Sequence, residues 1–358
     1  MMRESADPTR MHTAEAPLTR RKFPKWLVPT IGYAIAGGSL VWALSRFPYR
    51  QLGDHLRTMD WQLVALAVAL EILVYFVDAW RWMVLLGPAG EPSFGICLQA
   101  VFVGLFANDV LPARAGELLR CFLLSWESEV PLSLALTSDV ILRIMDGLWI
   151  VILYGIVTLQ VATHVVVTRV MWGFGTAVLA IAAVLLWVLF WRHTAHRFVR
   201  DRGWGARVIR VLDEIHRLGR WRELGLAMAI GGLFWVTQGL AIWVLAKADA
   251  FDFGLGAIGF LLVVKSVYTL VPNAPANFGV YQAATMYALG LLLVEKQNAQ
   301  IFSEIMFWIL SLPLAAGGAI AVAFTGYDID ELHERARQHA AQRELRQATQ
   351  PGTTTVTP

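Results

Sequence analysis

Charge is scarce along this 358-residue chain: Asp, Glu, Lys and Arg together make up 16% of it, against roughly 25% in soluble domains. A soluble core is excluded, because long uncharged stretches recur from one end of the chain to the other. Cysteine is nearly missing. The two present, Cys97 and Cys121, sit in apolar context, and their number and spacing exclude a disulfide framework or a cysteine metal site. Walker A, Gly-x-Ser-x-Gly and Rossmann patterns are all lacking, so no catalytic residue, cofactor or nucleotide-driven step is expected. His193-x-x-His196 lies in a basic loop without further ligand types and reads as incidental rather than as a metal site. No nucleic-acid partner is expected. The first apolar run, from Trp26, has no small-residue cleavage pattern behind it, so it reads as an uncleaved span.

What is abundant is hydrophobic residues, at 57%. Runs of spanning length appear at about 26–45, 62–86, 133–160, 168–191, 224–247 and 299–324. Two further runs, about 93–111 and 255–271, end in Pro- and Gly-containing turns followed by shorter apolar stretches. The expected fold is an all-α integral membrane protein with about six full spans and two re-entrant helical hairpins. Fifteen tryptophans, among them Trp26, Trp61, Trp80, Trp82, Trp172, Trp191 and Trp221 near span ends, suit the membrane–water interface.

Net charge is only +3, but the 30 Lys and Arg are unevenly placed. Six lie in the tail at 1–25, nine in the connector at 192–223, and four in the tail at 326–358. The positive-inside rule puts these three segments in the cytoplasm of an inner or plasma membrane. That is possible only if 93–126 and 255–294 are hairpins that leave by the face they enter. Six more basic residues then fall outside (Arg46, Arg50, Arg57, Arg169, Lys247 and Lys296). The connector carries Trp204, Val208, Val211, Leu212, Ile215 and Leu218 at helical spacing, which predicts an amphipathic helix on the membrane surface. From Asp328 the chain is polar and predicts a short exposed helix, with Thr349 to Pro358 disordered.

Under this topology 62–160, within the N-terminal half 26–191, and 224–324, within the C-terminal half 224–325, have the same plan in opposite senses: span, broken hairpin, span. The breaks are Leu111-Pro112-Ala113-Arg114-Ala115-Gly116-Glu117 and Val271-Pro272-Asn273-Ala274-Pro275-Ala276-Asn277-Phe278-Gly279. Proline ends a helix by removing a donor and crowding the preceding turn. The freed backbone groups persist at membrane depth only in protein or beside a polar cavity. Paired interruptions of this kind point to a binding site between inverted repeats.

Five basic residues, Arg81, Arg114, Arg120, Arg143 and Lys265, remain within membrane segments, with the carboxylates Glu71, Asp78, Asp109, Glu117, Asp139, Asp146 and Glu304. Intramembrane ionisable groups are expensive and read first as functional. Asp139, Arg143 and Asp146 are spaced i, i+4, i+7, an acid–base–acid ladder on one helical face that either braces helices or serves a ligand. Arg114, Glu117 and Arg120 open a short helix whose N-terminal N–H groups would attract a phosphate, and arginine suits that ligand by bidentate hydrogen bonding. Asp78 and Arg81 read as an interfacial anchor. Glu304 lacks a local cation and is expected to meet Lys265 or to carry a proton.

These residues resemble a known family. Arg81-Trp82, then Asn108 with Leu111-Pro112-Ala113-Arg114-Ala115-Gly116-Glu117-Leu118-Leu119-Arg120, then Arg143-x-x-Asp146-Gly147, then Pro272-x-x-Pro275-x-x-Phe278-Gly279-Val280-Tyr281 are similar to the flippase-like family. It is also called the lysylphosphatidylglycerol synthase transmembrane domain family. The similarity spans roughly 26–325. It implies translocation or presentation of anionic or lipid-linked molecules such as phospholipids, polyprenyl-linked lipids or hopanoids. By motif position it assigns substrate contacts to Asn108, Arg114, Glu117, Arg120, Arg143 and Asp146. Lys265, Asn273, Asn277 and Glu304 complete the candidate set in the second half. Ala276-Asn277 replaces the glycines common in relatives, and Gln282 replaces a common Glu. About 30 residues follow the last span, so the soluble aminoacyl-transferase step of full synthases is not expected. The alternative readings are a membrane-embedded lipid-modifying transferase, or a scaffold for a lipid-biosynthesis enzyme.

Overall fold

The structure is a computed structural model that describes residues 49–110, 115–161, 163–190, 218, 220–269 and 279–325. The expected first span, the amphipathic connector, both tails and the two proline breaks lie outside the described residues. Ten helices are described: α1 (Tyr49–Thr58), α2 (Trp61–Gly90), α3 (Phe94–Val110), α4 (Ala115–Glu127), α5 (Leu132–Thr158), α6 (Val165–Phe190), α7 (Trp221–Ala248), α8 (Leu255–Thr269), α9 (Val280–Leu291) and α10 (Lys296–Thr325). Five of them, α2, α5, α6, α7 and α10, are long and apolar enough to cross a membrane. They match five of the six expected spans. The protein is an all-α integral membrane protein.

Local chemistry sets several boundaries. Asp60 caps α2, its carboxylate accepting from the Gln62 and Leu63 N–H groups at 2.9 and 3.3 Å, which relieves two of the orphan donors of a helix start. Glu91, in the left-handed region at φ 44°, ends α2. The sequence reading did not anticipate α1. Its Leu52 and Leu56, one turn apart, pack against a hydrophobic cluster, and that i, i+4 pair was the available signal.

α2 and α7 lie antiparallel along most of their length. Asp60, at the start of α2, donates its N–H to the Ala248 carbonyl at the end of α7 (3.0 Å), while Arg81, deep in α2, lies over the ring of Phe234, in the first half of α7. The core divides into two clusters at opposite ends of the bundle. One joins the start of α2, the ends of α5 and α7, α8 and the first part of α10. The other joins the end of α2, α3, α4, the start of α5 and the start of α7. At the first end, His55 Nδ1 lies 2.7 Å from Asp249 Oδ1 and ties α1 to the residue that follows α7. Burial raises the Asp249 carboxyl above the ordinary range, and the His55 contact draws it partly back.

The helices on either side of each break fold against one another. Gly90 precedes α3 and Val130 follows α4, yet a Cβ at Gly90 would sit 3.1 Å from Val130 Cγ2. The two ends of the α3–α4 hairpin therefore meet. Packing partnerships also repeat. α3 packs on α4 as α8 packs on α9, α4 on α5 as α9 on α10, α3 on α10 as α8 on α5, and α2 on α3 as α7 on α8. The pairs α2–α10 and α2–α5 likewise correspond to α7–α5 and α7–α10.

Candidate functional site

Glycine brings the helices of the α3–α4 hairpin into backbone contact. A Cβ on Gly116 would fall 1.9 Å from the Gly104 carbonyl oxygen, and one on Gly104 would fall 2.8 Å from Arg120 Cβ. Small residues of this kind let membrane helices approach closely. The Asn108 side chain crosses the same gap and accepts the Gly116 N–H at 2.9 Å, so a donor in the first turn of α4 is satisfied from α3. On the other side of α3, Gly318 of α10 fits against Phe106 and the Phe102 carbonyl.

This packing places three arginines among four carboxylates. Arg81 binds Asp146 at 2.6 Å and Asp78 at 3.4 Å. Arg120 is paired with Asp139 and lies 3.5 Å from Asp78. Arg143 meets Glu117 at 3.0 Å. The network joins α2, α4 and α5 with Asp78 bridging two guanidiniums. Arg81 and Arg120 also lie over the rings of Phe234 and Trp82, at 5.4 and 5.0 Å. Gly231 makes room for Arg81, since a Cβ there would be 3.0 Å from Nη1.

Several expectations change in this light. The spacing of Asp139, Arg143 and Asp146 predicts one ladder on α5, but each residue reaches off that helix: Asp139 to Arg120 and Arg143 to Glu117, both of α4, and Asp146 to Arg81 of α2. Asp78 and Arg81 are not an interfacial anchor; Arg81 is 1% exposed and the pair sits in the middle of the network. Trp82 is not interfacial either, being fully buried with its indole N–H donated to the Ser138 hydroxyl at 2.8 Å. Arg120 is buried and already bonded to two carboxylates. Arg143 is the open edge of the network, its side chain 40% exposed.

A second polar group fills the other half. Lys265 of α8 lies over the Tyr281 ring at 5.4 Å and within electrostatic reach of Glu71 of α2. Glu71 is bonded by Tyr75 at 3.4 Å and faces Gln238 of α7. Glu304 does not meet Lys265; its carboxylate takes the Gln282 amide at 3.5 Å, while Gln282 Oε1 accepts the Gly279 N–H at 2.8 Å. Arg114, Asn273 and Asn277 lie outside the described residues, as does His193-x-x-His196. Sequence reasoning missed Gln238, Tyr75 and the Gly104–Gly116 contact. The signal for the first two was polarity inside apolar runs.

The model of the Lysylphosphatidylglycerol synthase TM region family matches residues 30–318. The chain belongs to this family. A UPF0104 membrane protein of Methanothermobacter thermautotrophicus is 20% identical over 299 residues, covering 76% of this chain and 86% of that protein. A second UPF0104 membrane protein, from Methanocaldococcus jannaschii, is 33% identical over 88 residues, 24% of this chain and 26% of its own length. No solved structure matches the chain. Membership in the Lysylphosphatidylglycerol synthase TM region family agrees with the apolar helices in making this a multi-pass membrane protein with a lipid-related role.

Proposed function

We propose that the protein moves an anionic lipid or lipid-linked molecule across the inner (plasma) membrane, acting as a transporter or flippase. The observation that carries this reading is the Arg143–Glu117 pair. It is a partly exposed guanidinium–carboxylate contact in membrane helices, beside the start of α4. A lipid phosphate can displace Glu117 from Arg143, since guanidinium binds phosphate and carboxylate with the same bidentate geometry. Behind it, Arg81 and Arg120 keep their own hydrogen bonds within the protein, so Arg143 is the guanidinium of the network that a ligand can reach.

The two broken hairpins and their matching partnerships support an inverted repeat that relates α2–α5 to α7–α10. α3 and α4, of 17 and 13 residues, extend about 25 and 20 Å at 1.5 Å per residue. Both are shorter than a hydrocarbon core of roughly 30 Å, which favours hairpins that re-enter. The basic segments at 1–25, 192–223 and 326–358 then favour cytoplasmic termini.

The test uses the purified chain in vesicles containing a tail-labelled fluorescent phosphatidylglycerol, with a membrane-impermeant quencher reporting the outer leaflet. Arg143→Gln should slow exchange about tenfold, the value of roughly 1.4 kcal/mol in one charge-assisted contact, without lowering thermal stability. Exchange equal to wild type would remove Arg143 from the path. Exchange no faster than in protein-free vesicles, for the wild-type chain, would overturn transport itself.

A further inference from the structure

The two polar groups differ in a way that chemistry can use. In the first, every cation is arginine, which holds its proton under all ordinary conditions. In the second, the charged partners are Glu71 and Lys265, both able to change protonation state.

Glu71 lies ten residues into α2, about 15 Å along the axis at 1.5 Å per residue, and so near the middle of the hydrocarbon. It is 4% exposed. Its Oε1 accepts from the Tyr75 hydroxyl at 3.4 Å, whereas Oε2 is buried without a hydrogen-bond partner. Lys265 is 8% exposed. Glu71 is the charge that acts on it, yet among the described residues no carboxylate comes within ion-pair distance of its ammonium. The two opposite charges are held near one another and do not close.

The surroundings leave nothing else to neutralise Oε2. α7 offers Gln238, which hydrogen-bonds the Glu71 carboxylate but carries no charge. On α2 itself the neighbours are Tyr75 and Asp78, and Asp78 is held by Arg81 and Arg120. Tyr281 of α9 covers Lys265, and the charge of Asp109 of α3 is felt at Tyr75. Glu304 of α10 is bonded to Gln282, while Asp139 and Asp146 of α5 are paired with arginines. An ionised carboxylate with an unbonded oxygen is expensive in such a place. Two changes relieve it: closure of Lys265 onto the carboxylate, or addition of a proton at Oε2.

We propose that Glu71 and Lys265 form a proton-binding site, in which Glu71 takes up and releases the proton. In the step a hydronium ion gives its proton to Glu71 Oε2, leaving water and the carboxylic acid and removing the negative charge that faces Lys265. Loss of that proton to water restores the carboxylate and its pull on Lys265. The inference is independent of the lipid reading, because proton binding is measurable without lipid movement.

The test is infrared difference spectroscopy of the purified full chain in detergent, acidic against alkaline buffer. On acidification the protonated-carboxyl stretch should contain a component that is lost in Glu71→Gln and kept in Glu304→Gln. Glu71→Asp should keep the band at a displaced frequency, which preserves the test if Glu71→Gln fails to fold. A band that ignores both Glu71 variants, or no titrating carboxyl band in the wild-type chain, would overturn the proposal.

Discussion

Gln282 spends one amide on two partners. Its oxygen accepts the Gly279 N–H at the start of α9 and its nitrogen donates to Glu304 of α10. An ionised glutamate at this position could accept the first bond but could not donate the second. It would set two carboxylates face to face at membrane depth, where neither is cheaply ionised. Gln282→Glu should therefore destabilise the protein by about 2 kcal/mol, the scale of an unsatisfied buried polar contact. Adding Glu304→Gln should restore most of the loss, measured by thermal unfolding in detergent as a double-mutant cycle. At this scale the sequence was generous with identities and poor with partners. It placed Asp139, Arg143 and Asp146 on one face of a helix from their spacing alone. Which helix each would meet depends on crossing geometry, and that is not written in i, i+4 spacing. Asp78 and Arg81 were misread for a related reason: a charged pair near the end of an apolar run looks the same whether the helix stops there or, as α2 does, continues to Gly90.

Among the elements, α3 is gripped from two sides. Gly116 of α4 meets the Gly104 carbonyl on one side, and Gly318 of α10 meets Phe106 on the other. The clash of a methyl group at Gly116 would be with backbone, which no rotamer change relieves. Gly116→Ala should cost about 1–3 kcal/mol, the usual cost of overpacking, and should also break the Asn108 bond to the same residue's N–H. Gly173→Ala on α6, where a Cβ meets nothing within 4 Å, should not lower the unfolding temperature, since alanine is the better helix former. Helix existence was legible because hydrophobic runs of spanning length have few alternatives in lipid. α3 and α8 were legible as short because proline and polar residues stop them. The glycines were visible in the sequence, but a close approach is a property of two segments at once. α1 was overlooked because ten residues carrying His55 and Arg57 in the last turn do not resemble a span.

For the molecule as a whole, the outcome to measure is sidedness. Cys97 and Cys121 are buried, so engineered thiols can be read against a low background. Ser93→Cys, just before α3, and Glu129→Cys, just after α4, are both at exposed positions. In intact cells both should resist an impermeant thiol reagent and react after the membrane is opened, as a cytoplasmic re-entrant hairpin requires. Labelling of one from outside and the other from inside would show that α3 and α4 cross the membrane once between them. The family and the five described spans followed from composition and motif. The orientation came only from charge distribution, which is a statement about insertion rather than packing.

The backbone contact between Gly104 and Gly116 bears on how such a molecule can move. Two helices whose main chains touch cannot slide or splay without losing that contact and the Asn108 bond beside it. The α3–α4 hairpin thus behaves as a wedge of fixed angle, clasped by α10. Opening of the lipid path we propose has to carry the wedge as a solid body, with the bending placed elsewhere. The long antiparallel seam of α2 and α7 is the natural axle for it, because a seam can roll while keeping its partners.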